Sequence, residues 1–214
     1  FINTHGLQFF LGDSFHENYL RVLLYQGGFF KEITALKMFF NSFIMATGVA
    51  LLSVVTSLMA AYALVYYRTK YATFLFWLIF ITILVPLELR IFPTYSVMAK
   101  LNLVNSYFGL IVPISASAIA TLFFRQFYKT VPDELLESAK LDGASTWRFF
   151  IDFLVPLSRT MIVAMLIFMF VFGYNQYLWP LLVTSSEQYW TVVMGLKMMS
   201  GSIVHRFAFV IMSM

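Results

Sequence analysis

Between Lys37 and Arg68 the chain carries no charged residue, and the run is dense in Leu, Val, Ala, Met and Phe. At 1.5 Å per residue it makes a helix roughly 45 Å long. The hydrocarbon core of a bilayer is about 30 Å thick. A soluble helix of that length would show a charged, solvated face, and this one has none. The rest of the chain agrees: 61% of residues are apolar, 11% are charged and the mean hydropathy is +0.82. A soluble domain carries about 25% charged residues. These values exclude an ordinary soluble domain, and equally a disordered chain, which needs low hydrophobicity and high charge. Cysteine is absent, which removes thiolate nucleophiles, zinc–thiolate sites and iron–sulfur clusters. The net charge of +4 is small and no Lys/Arg run occurs, so nothing points to nucleic acid.

The fold class expected is therefore all-α, a polytopic bundle of transmembrane helices. Four complete spans are expected, at about Met38–Tyr67, Thr73–Leu87, Tyr107–Phe124 and Met161–Leu178. The second is expected to continue past Pro86 into Glu88 and Arg90. A further span is expected to begin near Phe207 and to be cut at Met214. Phe1 is not an initiator and the opening residues lack a signal-peptide layout. The first and last spans are thus expected to be incomplete or absent. The division is an extracytoplasmic segment 1–37 and a transmembrane domain 38–214, with an inner loop at 129–156 and an outer loop at 180–206.

Basic residues in short loops set the orientation. One set comprises Arg68, Lys70, Arg125, Lys129, Lys140, Arg148 and Arg159; the other Arg21, Lys31, Lys37, Arg90, Lys100, Lys197 and Arg206. The first set is far denser along the chain, so its loops are expected on the cytoplasmic side. Tyr62, Tyr66, Tyr67, Tyr71, Tyr107, Tyr128, Tyr174, Tyr177 and Trp179 gather at expected span ends and read as an aromatic belt.

The stretch Thr130–Pro156 is polar between two apolar spans. Thr130 is a candidate cap for a helix whose first turn holds Pro132, Asp133 and Glu134, acids that suit the positive helix end. Leu135, Leu136, Ala139 and Leu141 give it an apolar face. Gly143 is placed to end it in a left-handed conformation. Ser145 can cap a second helix, Thr146–Leu154, and Pro156 begins or kinks the next span. One reading is an amphipathic helix at the lipid surface. Acids lead where a lipid-surface helix would carry Lys and Arg, which favours a docking element for another protein.

Glu137-Ser138-Ala139, Gly143 and Pro156 then match the spacing of the EAA loop of ATP-binding-cassette importer permeases. Ser138, Phe153 and Val155 depart from that pattern by small or apolar-for-apolar exchanges. Leu84–Leu110, Phe123–Ser145 and Phe172–Thr184 extend the likeness over most of the chain. The chain resembles the second permease of the carbohydrate-uptake class of these importers, the group that includes the maltose importer, and within it those for sn-glycerol-3-phosphate. The resemblance implies a bacterial inner-membrane, multi-pass subunit. Its partners would be a second permease, two cytoplasmic ATPase subunits and an extracytoplasmic binding protein. Glu137, Ala139, Asp142, Gly143 and Pro156 would couple it to the ATPases. No Walker A sequence occurs in the chain. No enzyme activity and no cofactor are expected on it; ATP and Mg would sit on the ATPases. The cargo implied is sn-glycerol-3-phosphate or a glycerophosphodiester, with a neutral sugar or oligosaccharide as the alternative.

Polar groups in or near spans are costly and mark a transport path. Glu88, Arg90, Tyr174, Asn175 and Gln176 are the candidates. Arg90 would meet a phosphate or pair with Glu88 or another carboxylate; Tyr174, Asn175 and Gln176 would meet hydroxyls or bond between helices. Ser115, Ser117 and Thr121 read as packing positions. His5, His16 and His205 are scattered, so no metal site is expected. A secondary transporter or channel would need buried ionisable groups for ion coupling, and the complete spans are nearly uncharged before Glu88.

Overall fold

The structure, a computed structural model, describes residues 33–67 and 70–200. The opening segment up to position 32, Arg68 of the dense basic set, the three histidines, Arg206 and the span expected near Phe207 lie outside the described residues. Within them all regular structure is helical. In chain order it comprises α1 (Ala35–Tyr66), α2 (Ala72–Leu84), α3 (Leu87–Lys100), α4 (Tyr107–Ile111) with a 3-10 turn Val112–Ile114, and α5 (Ala118–Tyr128). There follow α6 (Asp133–Leu141), α7 (Thr146–Phe149) prolonged by a π turn Phe150–Leu154 and a last turn Val155–Leu157, α8 (Arg159–Tyr174), α9 (Leu178–Val183) and α10 (Val192–Ser200).

The charge-free run becomes α1, 32 residues long. Thr34 caps it, Oγ1 accepting from the Lys37 N–H at 3.3 Å. Its buried Ala46, Ala50, Ser53, Ser57 and Ala61 recur at steps of three and four, a seam of small side chains. Small residues let helices approach closely where lipid offers no hydrophobic drive between them. α5 and α8 both pack along α1. Thr121 of α5 donates to Ser57 Oγ at 3.2 Å. On α8, a Cβ added at Gly173 would come within 3.1 Å of Ala46 Cα, so the glycine lets the two helices cross closely.

Among the described residues α1 is, by length and composition, the one helix able to cross a membrane unbroken; counting each bent pair as a single span brings their number to as many as four. Those four fall where the apolar runs place them. Their shapes differ from the expectation. The second run ends at Leu84 and the chain turns by 106° into the next helix. Pro86 has no N–H to extend α2 and holds the residue before it out of the helical region, so Glu88 and Arg90 lie on a separate helix rather than a continuation. The third run bends by 48° between Ile114 and Ala118, just after Pro113.

At the end of α1 near Ala35, polar side chains clasp the 184–192 connection. Asn41, fully buried, donates through Nδ2 to the carbonyls of Gln188 and Trp190 at 2.8 and 2.9 Å. Its Oδ1 accepts from Tyr107 at 2.7 Å. Ser42 Oγ accepts from the Val192 N–H at 2.9 Å. Trp179 is buried with Nε1 shared between the carbonyls of Gly109 and Leu110 at 3.1 and 3.2 Å. It thus belongs to the core rather than to an aromatic belt. The same correction applies to Tyr62 and Tyr128, both buried in the cluster at the opposite end.

Candidate functional site

The loop between α5 and α8 is built from local chemistry. Asp133 and Glu134 occupy the first turn of α6, beside its positive end. Pro132, not Thr130, holds the capping position; the Thr130 hydroxyl instead returns to the Phe127 carbonyl at 2.7 Å. The helix ends in a Schellman arrangement: the Ala144 N–H reaches the Ala139 carbonyl at 2.9 Å and the Gly143 N–H that of Lys140 at 3.0 Å. Gly143 has φ +77°, the left-handed value expected of it. Ser145 caps α7, Oγ accepting from the Arg148 N–H at 3.3 Å. Pro156 is half-buried in the turn before the chain bends by 75° into α8.

The loop is held to the bundle by its inner face. Ala139 is 1% exposed, in a cluster with Tyr62, Tyr128, Phe149, Phe150 and Leu154. Tyr62 at the end of α1 donates to the Thr146 carbonyl at 2.6 Å. Of the coupling residues named from the sequence, Glu137, Asp142 and Gly143 face outward. Ala139 does not, since it is buried in that cluster and serves as an anchor. Leu141, placed on the apolar inner face by sequence, is 89% exposed. It stands one helical turn after Glu137 and so shares its face. Glu137 and Leu141 therefore present an acid and an apolar knob side by side beneath the bundle.

A cavity of about 270 Å³ opens near the far end of α2. Arg90, Thr82, Thr94 and Ser117 supply its polar lining, with Ile91 and Phe172 among the apolar walls. Ser117 also caps α5, Oγ accepting from the Ala120 N–H at 3.1 Å, so the first turn of α5 borders the cavity with its N–H end. Arg90 is exposed and forms no ion pair among the described residues. The pairing with Glu88 does not occur, because positions two apart on a helix point to opposite sides. Glu88 is not among the lining residues.

Tyr174, Asn175 and Gln176 are not brought to this cavity. Tyr174 borders a separate recess with Lys37, Phe40 and Phe43. The amides of Asn175 and Gln176 turn back to the carbonyls of Val171 and Phe172 at 3.0 and 3.3 Å and close the end of α8. Ser115 and Thr121 are buried and bonded within the bundle. Among the described residues no three acidic or histidine side chains gather where a metal could be held.

A bundle broken at these points, with a capped polar loop on one end, matches a known family. Residues 53–214 match the binding-protein-dependent transport system inner membrane component family. The chain belongs to this family. Members of this family are inner membrane components of transport systems. One relative is the sn-glycerol-3-phosphate transport system permease protein UgpE of Yersinia enterocolitica, 49% identical over 165 residues, which cover 77% of this chain and 59% of that protein. The protein of the same name from Agrobacterium fabrum is 43% identical over 190 residues, covering 88% of this chain and 67% of the relative. The chain thus spans about 59% of the length of the first of these. In fold it is similar to a chain from the crystal structure of a bacterial ABC transporter involved in the import of the acidic polysaccharide alginate. That match has a TM-score of 0.73 at 16% identity and covers 84% of this chain and 69% of the other.

Proposed function

We propose that this chain is the permease subunit of an ATP-driven, binding-protein-dependent importer, and that its cargo is sn-glycerol-3-phosphate or a glycerophosphodiester. The observation that carries the reading is the loop at 129–156. A helix fixed at one end by a left-handed glycine turn and clamped by Ala139 and Tyr62 moves with α1 as a rigid body. A protein gripping Glu137, Leu141, Asp142 and Gly143 from below would pull on α1 without unfolding the loop. Pro156 sets where that motion enters α8. The gripping partners are two cytoplasmic ATPase subunits, which hold ATP and Mg; a second permease completes the path and an extracytoplasmic binding protein delivers cargo.

The bundle then spans a bacterial inner membrane several times with the 129–156 loop in the cytoplasm. Closure of the ATPases rocks the spans between inward-open and outward-open arrangements. The named relatives support the choice of cargo. So does Arg90, a cation on the wall of the cavity with no ion pair among the described residues, since a guanidinium offers a phosphate paired donors. The test is ATP hydrolysis by the complex of the full chain with its partners in liposomes, comparing glycerol-3-phosphate with maltose. Stimulation by glycerol-3-phosphate alone supports the reading. Stimulation by maltose alone keeps the importer and discards the phosphate cargo.

A further inference from the structure

The turn that follows α3 places two asparagines in the left-handed region, Asn102 and Asn105, each with φ 56°. Asn102 ends its helix as Gly143 ends α6: its N–H reaches the Ala99 carbonyl at 3.1 Å and the Leu103 N–H that of Met98 at 3.0 Å. Asn105 then holds the chain to the connection after α9. Its N–H donates to the Val183 carbonyl at 3.0 Å. Its Oδ1 accepts from the N–H groups of Ser185 and Ser186 at 2.6 and 2.9 Å. A carboxamide oxygen has two lone pairs, and asparagine tolerates the left-handed backbone, so one residue meets both demands.

Among the described residues α3 has little else to fix it. At its start the chain breaks by 106° after α2, and α2 contributes no buried residue. Of the helices, α9 is the one α3 chiefly packs against. Ile91 and Met98 of α3 lie buried in one cluster with Trp179 and Val183 of α9. Both helices line the cavity, α3 through Arg90, Ile91 and Thr94 and α9 through Trp179. Trp179 is itself held by the carbonyls of Gly109 and Leu110. So α9 is the fixed wall, and α3 is the wall that must be held to it.

We propose that Asn105 is a positioning residue for Arg90. Its amide oxygen holds the turn after α3 to residues 183–186. The helix, closed by its own turn at Asn102, carries that restraint along its length to the guanidinium on the cavity wall. Without the clasp α3 swings on the break at Pro86, and Arg90 leaves the place where it meets a phosphate. The proposal rests on the reading of Arg90 and its cargo given above, and adds the residue that holds Arg90 in place.

The experiment uses the full chain assembled with its partners in liposomes. Asn105→Gly keeps the left-handed backbone and removes only the acceptor. It should raise the half-saturating glycerol-3-phosphate concentration about fivefold, the fold-change of one net hydrogen bond, with the maximal rate within about twofold of wild type. Asn105→Asp offers the same two N–H groups a carboxylate and should restore wild-type values. In an Arg90→Gln background Asn105→Gly should change nothing further, because it acts through Arg90. Ser186→Pro removes one of the two N–H groups from the other side, at a φ of −88° near proline's own, and should give a smaller shift. Ser186→Ala keeps that N–H and should give none. This pair keeps the test open if the Asn105 variants fail to assemble. A second readout needs no cargo. The chain has no cysteine, so spin labels at Leu89→Cys on α3 and Leu178→Cys on α9, both exposed, report the distance between the two helices in complexes with cysteine-free partners. Asn105→Gly should broaden that distance distribution and Asn105→Asp should keep it narrow. An unchanged distribution in Asn105→Gly overturns the proposal. So does an undiminished shift in the Arg90→Gln background, or a loss of maximal rate with half-saturation unchanged. If Arg90→Gln alone leaves the half-saturating concentration unchanged, the phosphate cargo reading fails, and the label distances still uphold or overturn the clasp by themselves.

Discussion

Tyr62 donates its phenolic hydrogen to the carbonyl of Thr146 at 2.6 Å. The donor ends the longest span and the acceptor opens the helix that leads the loop back to the bundle. Around this bond Tyr66 packs edge-on against Phe149, their ring centres 5.5 Å apart, and Tyr62 stacks at a tilt on Phe150 at 4.8 Å. The loop is thus tied to α1 by one directional bond inside an aromatic cluster. Removing the bond while keeping the ring separates alignment from packing.

Tyr62→Phe should leave insertion and assembly intact and cost about 1 kcal/mol of loop attachment. In liposomes the complex should then hydrolyse more ATP per molecule imported, by roughly two- to threefold. An unchanged ratio would place the mechanical link elsewhere, in the apolar seal around Ala139.

Gly143 gives a sharper test. A Cβ added there meets nothing within 4 Å in this chain, so any intramolecular penalty is backbone strain alone. A β-branched residue at φ +77° costs about 1–2 kcal/mol, whereas Asn visits this region more easily. Gly143→Val should uncouple hydrolysis from import and Gly143→Asn should do so only mildly. If both fail equally, the cause is the close approach of a partner to the turn. Two single-turnover import assays with matched ATPase rates distinguish these outcomes.

The loop was the most legible part of the chain because its determinants are local. Acids at a helix start, Gly143 at its end and Ser145 after it act on neighbours within a few residues. The spans were legible as apolar runs for the same reason. Their bends were not: Pro86 announces a break, but the 106° turn is set by what α3 packs against. Tyr62, Tyr128 and Trp179 look like belt residues in sequence since they stand at span ends, and their burial depends on helices far along the chain. Asn41 was visible as a lone amide in a charge-free run, yet its carbonyl partner Gln188 lies 147 positions away. Leu141 could have been found by helical phase, as it falls one turn beyond Glu137 and opposite the face of Leu135 and Ala139.

Asn41 should be the most damaging single polar replacement at the far end of the bundle. Asn41→Leu strands two carbonyls and the Tyr107 hydroxyl, and should cost about 2 kcal/mol, at the upper end for polar contacts between membrane helices. Tyr107→Phe should cost about half as much. Melting of the detergent-solubilised complex reads both, and the double variant should be less than additive because the two residues share one bond. Strict additivity would mean that the 2.7 Å contact contributes nothing.

Arg90 lines the cavity without a carboxylate partner among the described residues, so a substitution breaks no ion pair there. Arg90→Gln should therefore leave the melting temperature within about 1 °C of wild type, as an exposed substitution usually does. If cargo presents a phosphate here, the lost interaction is a charge-assisted one worth about 1.5–3 kcal/mol. That is roughly a ten- to hundredfold rise in the glycerol-3-phosphate concentration giving half-maximal transport, with smaller change in the maximal rate. Arg90→Lys should recover part of the loss, since charge survives but paired donation does not. The decisive comparison adds an uncharged cargo of similar size, such as glycerol delivered at high concentration. A variant impaired for both cargoes by the same factor would show that Arg90 shapes the path rather than reading its charge.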